Sequence, residues 1–160
     1  MTRPVEPVVP PALSAVLEDD DIAETEGFTL QLLTVRDDGW PHAALLSVGE
    51  LVVVDDRRLR LAIWPGSTSA ANLAARPYAT LAAVLAPTSY LLRVSVEPLA
   101  PLETERGGRL AAFEATVEAA AADEAPYAVL ESGIRFHLSA PDETLPRWAE
   151  TRRALRKAAS

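Results

Sequence analysis

The chain has no cysteine, only two histidines, and few aromatic residues among its 160. Without cysteine there is no disulfide, no thiolate nucleophile and no Cys-ligated metal. His42 and His137 are too few for a His-rich metal site, and no HExxH spacing exists, so no metal is expected. Basic charge is also short: the net charge is −8, which argues against a nucleic-acid binder, because neutralising phosphates needs a basic surface. No run approaches the roughly 18 apolar residues of a membrane span. The opening MTRPVEPVVPP lacks the apolar centre of a signal peptide. The expectation is a soluble, cytoplasmic protein of one domain over residues 1–160, long enough to bury roughly 70% of its unfolded surface.

What is present centres on LRLAIWPGSTSAANLAARP, residues 59–77. Leu59, Leu61 and Ile63 alternate with Arg60, Ala62 and Trp64, as in a strand. Pro65 and Gly66 stop it. Ser67, Thr68 and Ser69 follow, then an Ala-rich helix with Asn72 and Leu73 that ends before Pro77. Ser67 is the expected N-cap. A helix that opens on hydroxyls after a tight turn is one way to build an anion site, since its first N–H groups are free and its dipole favours negative charge. Plain capping is the other reading of the same residues.

Around this stretch the chain reads mainly as strands. Residues 1–10, with Pro4, Pro7 and Pro10, form an extended arm, and Pro11–Glu18 a short helix with Leu13 and Leu17 on one face. Asp19–Asp21 read as a solvated turn. Phe28–Arg36 and Pro41–Val48 are strands joined by an Asp38-Gly39 hairpin. Leu51–Val54 is a further short run, and Tyr78–Leu85 a strand buried on both faces. Ser89–Val96 alternates cleanly. Leu110, Phe113, Val117 and Ala120 or Ala121 share a helical stripe, so Arg109–Asp123 is expected as a helix, with a helical turn at Tyr127–Glu131. Gly133–Ser139 alternates as a strand. A last helix covers residues 142–158, opening at Pro141, with Asp142 and Glu143 at its start and Arg152, Arg153, Arg156 and Lys157 towards its end. Hairpin-linked strands with inserted helices indicate a mainly β, α+β fold, an antiparallel barrel with helices.

Three segments carry a resemblance: TVRDDGWPHAALL, LRLAIWPGSTSAANLAARP and ATLAAVL. Together they resemble the pyridoxamine 5′-phosphate oxidase-like family, the FMN-binding split β-barrels. That resemblance implies a split antiparallel barrel, a homodimer, FMN at the dimer interface and an oxidoreductase acting on a small molecule. It implies that Ile63, Trp64, Ser67, Thr68, Ser69, Asn72 and Trp148 bind the cofactor. Ser67 falls on the family's phosphate-binding Ser, whereas Thr68 and Ser69 stand where classic members carry Arg and Lys, and no Arg stands near Ala44. Arg93, Arg135 or a basic residue of the partner subunit are the candidates to replace them. Trp64 either packs on the isoalloxazine ring or fills a core or dimer contact, and Trp148 with Leu145 and Leu155 also suits plain packing. His42 is a candidate base without an implied orienting carboxylate. The alternative function is a split-barrel dimer that has lost FMN and serves as a non-catalytic binding or structural module.

Overall fold

The computed structural model describes residues 1–158. Strand β1 is Thr2–Val5, helix α1 Pro11–Glu18, then β2 Thr29–Val35, β3 Pro41–Ser47, β4 Leu51–Val53 and β5 Arg58–Ile63. Helix α2, Thr68–Ala75, is followed by β6 Tyr78–Leu85, β7 Thr88–Pro98, β8 Leu102–Thr104, β9 Gly108–Asp123 and α3 Pro141–Lys157. The strands run antiparallel in the order β3-β2-β6-β7-β9-β5-β4, and β1 and β8 also pair with β9. This is the expected split antiparallel barrel with helices.

Strand β9 organises the sheet and corrects the expected helix at Arg109–Asp123. It pairs with β5 on one side and β7 on the other. Phe113, Ala115 and Val117 are buried in alternation, and Ala120 and Ala122 resume it after a register shift opposite Arg93 and Val94. Phe113 and Val117 are four apart, a spacing that satisfies a helix stripe and a strand face equally. Alanine favours helix by only some tenths of a kcal/mol per residue, and pairing with flanking strands outweighs it.

The N-terminal arm is extended as expected, and Thr2–Val5 pairs with Ala120–Asp123, with the terminal ammonium 3.0 Å from Asp123. Three further expectations are corrected. Gly133–Ser139 joins the sheet only through a bridge between Phe28 and Arg135, since β2 is already paired on both edges. Ile134 and Phe136 stay partly exposed, and Tyr127–Glu131 holds a turn rather than a helical turn. Strand β6 is buried on one face only: Ala79, Leu81 and Ala83 point inward while Tyr78 is half exposed.

The hairpin between β2 and β3 follows expectation. Gly39 takes φ 85°, and the Arg36 N–H donates to the Trp40 carbonyl at 2.9 Å. Inside the barrel Leu30, Leu32, Leu59, Leu61, Leu81 and Leu92 are fully buried, with Leu13 and Leu17 of α1 closing one end. Helix α3 lays Trp148, Thr151, Arg152 and Leu155 against the body of the fold, and its first turn carries Asp142 and Glu143.

Candidate functional site

The turn after β5 closes when the Ser67 N–H donates to the Trp64 carbonyl at 3.0 Å. Ser67 is extended, with φ −76° and ψ 154°, and its Oγ accepts from the Ala70 N–H at 3.1 Å. This is the expected N-cap. The amides of Thr68 and Ser69, in the first turn of α2, meet no acceptor among the described residues. One helical turn on, the Asn72 side-chain amide donates to Thr34 Oγ1 at 2.9 Å, both groups being buried, which fastens α2 to β2.

A groove of about 410 Å³ opens at this helix start. Ser67, Thr68 and Asn72 line one wall; Arg36, Asp37 and Asp38, from the β2–β3 hairpin, line the other. Asp37 is held by Arg76 at 3.1 Å, and Asp38 accepts from the Trp40 N–H and lies 3.7 Å from Arg36. The groove is therefore lined by one guanidinium group and two carboxylates, one of them paired with Arg76 from outside the lining, together with the free Thr68 amide and two hydroxyls.

A second cavity, of about 220 Å³, lies on the other side of the β5–α2 turn. Ile63, Trp64 and Trp148 line it, with Glu50 and Arg147 among the other walls. Trp148 lies so close to Gly49 that a β-carbon there would sit 2.0 Å from its Cγ. Phe136 meets Trp148 edge-on at 6.3 Å. Glu50 belongs to the turn between β3 and β4: its Oε2 accepts from the Ser47 N–H at 2.6 Å and from Ser47 Oγ at 3.1 Å. Burial raises the Glu50 pKa, opposed by the Ser47 hydrogen bonds and by the charge of Arg147. Trp64 is mostly exposed, its indole nitrogen close over Gly66.

The residues expected to hold a cofactor thus divide between two openings. Ser67, Thr68 and Asn72 meet at the groove, and Ile63, Trp64 and Trp148 at the cavity. Ser69 lines neither: it is 2% exposed, and its Oγ has no partner among the described residues. Arg36, Glu50 and Arg147 were not anticipated. Arg93 lies away from the α2 groove, beside Tyr78 and Glu118 in an apolar depression of about 520 Å³ on the outer sheet face. Arg135 sits near Gly27. His42 stands in register with Thr34 on β3, and no cluster of metal-ligating residues occurs among those described. Among the described residues no helix is long and apolar enough to cross a membrane.

No family model matches the chain. It is 35% identical over 132 residues to the uncharacterized protein YclD of Bacillus subtilis (strain 168), a match spanning 82% of this chain and 84% of YclD. Among solved structures, a candidate pyridoxamine 5′-phosphate oxidase of Lactobacillus delbrueckii superposes with a TM-score of 0.56 at 15% identity, over 72% of this chain and 94% of that one. HupZ of Group A Streptococcus gives 0.50 at 15% identity, over 75% of this chain and 97% of its own. The chain belongs to the same family as YclD of Bacillus subtilis, and it shares the split-barrel fold of the pyridoxamine 5′-phosphate oxidase-like structure from Lactobacillus delbrueckii.

Proposed function

We propose that the protein is an FMN-binding flavoprotein, an oxidoreductase acting on a small molecule as a homodimer. The single observation that carries this is the groove at the start of α2, lined by the unbonded Thr68 amide, two hydroxyls and Arg36. That donor set fits a phosphate: N–H groups at a helix start, hydroxyls and a guanidinium each bind anionic oxygen. The hydroxyl and amide of Thr68 would hold the phosphate beside Ser67, with Arg36 supplying charge from the facing hairpin. Trp64 and Trp148 would flank the ring end. The flavin, when bound, supplies the hydride or electron chemistry. The chain's own residues bind and orient it and keep water away, so no acid–base pair is required of them.

A homodimer is supported by the outer sheet face. Tyr78, Leu45 and Leu91 are exposed there, beside the apolar depression flanked by Arg93 and Glu118. The second reading, a split barrel without FMN, is favoured by one observation: α2 carries no Arg or Lys in its first turn, and Asp37 and Asp38 face the same groove. Incubation with FMN followed by gel filtration separates the two. Flavin absorbance that travels with the protein supports the flavoprotein; a colourless protein peak supports the cofactor-free module.

A further inference from the structure

The register shift between β7 and β9 puts an extra residue on the outer sheet face. Val117 stands opposite Val94 and Ala119 opposite Arg93, so Glu118 has no partner position on β7. From Phe113 to Val117 every second residue of β9 is buried; Glu118 and Ala119 are then both exposed, and Ala120 is buried again. A bulge of this kind re-aims a side chain. Here it sets a carboxylate beside the apolar depression of about 520 Å³ that Arg93 also lines. Ser95 Oγ donates to Glu118 Oε1 at 2.6 Å. Oε2 receives no hydrogen bond among the described residues, and the exposed Arg93 guanidinium makes neither hydrogen bond nor ion pair among them. Two opposite charges thus share one apolar face without joining each other.

We propose that Arg93 and Glu118 pair between copies of the chain, Arg93 of each protomer meeting Glu118 of the other, and that this doubled ion pair sets the orientation in which the two copies dock. The inference rests on the homodimer reading and gives that dimer its charge register. The occupant of the face is a second copy because a two-fold interface must complement itself. A face with one cation and one anion at different places does so: turned over onto its own image, it joins opposite charges twice. The surface around the pair is apolar, as a docking face requires. Tyr78 and Leu91 are exposed on it, and a second depression of about 500 Å³, lined by Leu33, Thr80, Leu91 and Ala119, adjoins the first at Arg93. Each copy carries a net charge of −8, so two copies repel as a whole. A cation on the shared face offsets that repulsion locally. Ser95 already holds one oxygen of Glu118, which reduces the freedom lost when a guanidinium arrives.

Charge reversal in the full chain tests this, read by sedimentation equilibrium without added flavin. The parent is expected to sediment as a dimer. Arg93→Glu and Glu118→Arg each set like charges opposite one another, and each is expected to raise the dimer dissociation constant at least about tenfold. Both side chains are exposed, so both variants are expected to keep the far-ultraviolet circular dichroism of the parent. Mixed in equal amounts, the two variants are expected to form a heterodimer as tight as the parent dimer, because every contact again joins opposite charges; native mass spectrometry identifies it. A dimeric parent that neither reversal weakens overturns the proposal and leaves the homodimer standing. Recovery in the double variant Arg93→Glu/Glu118→Arg with none in the mixture also overturns it, since that is the mark of a pair within one chain. A monomeric parent removes the homodimer reading itself and this inference with it.

Discussion

Arg152 of α3 caps the end of α1: its guanidinium donates to the Leu17 carbonyl and, at 3.1 Å, to the Asp19 carbonyl. Both oxygens belong to the C-terminal end of a helix, which carries partial negative charge. Arg152 is 2% exposed, and burial lowers its pKa. Asp20 lies 3.9 Å from Arg156, one turn along the same helix. One buried side chain therefore joins the last element of the chain to the first helix.

Arg152→Ala removes those bonds and leaves carbonyl groups without their donor in a buried place. Hydrogen bonds to charged groups contribute roughly 1.5–3 kcal/mol each, so a loss of about 3 kcal/mol is expected. Urea denaturation measures it. A loss below about 0.5 kcal/mol would mean that α1 and α3 are not coupled through this residue.

Gly49→Ala is expected to be as costly for a different reason. The new β-carbon would meet the Trp148 ring at 2.0–2.4 Å, and neither the turn nor α3 can yield freely. Overpacking of this kind costs about 1–3 kcal/mol. The near-ultraviolet circular dichroism of Trp148 should change along with the melting temperature. An unaltered spectrum would place the ring elsewhere.

Glu50 gives a pH-dependent prediction. Its pKa is raised in the fold, chiefly by burial. The folded state therefore holds a proton that the unfolded state has released, and this contribution is full below the unfolded value and lost as pH rises through the raised one. Glu50→Gln removes the titration and keeps an oxygen for the Ser47 bonds. The variant should gain stability relative to the parent as pH rises from about 4.3, the ordinary glutamate value. Denaturation at several pH values tests this, and a difference that shrinks as pH rises would contradict it.

Thr68→Arg places a cation in the first turn of α2, beside the groove that Asp37 and Asp38 face. If the groove holds a phosphate, a charge-assisted bond should tighten FMN about tenfold, corresponding to roughly 1.4 kcal/mol. Isothermal titration reads this directly. Equal affinity in the two proteins would move the phosphate away from Thr68.

The sequence made some of this visible and hid the rest for physical reasons. Helix α2 was legible because Pro65-Gly66 stops a strand and Ser67 then caps. Helix α3 was legible because charge order and the Leu145, Trp148, Leu155 spacing agree. Strand β9 was not, since Phe113 and Val117 suit both periods and its alanines favour the helix; only partner strands from elsewhere in the chain decide. Arg36 and Glu50 were overlooked for a related reason. Arg36 and Thr68 line one groove because α2 is fastened to β2 through Asn72 and Thr34. Glu50 meets Arg147 only because α3 folds back over the β3–β4 turn. Neither closeness leaves a mark in local periodicity.

The most direct test of the phosphate site is a paired titration of the purified protein with FMN and with riboflavin, which differ only in the phosphate. The account predicts that FMN binds at least tenfold more tightly, and that Arg36→Ala removes most of that difference. Equal affinity for the two flavins, or binding of neither, would contradict it.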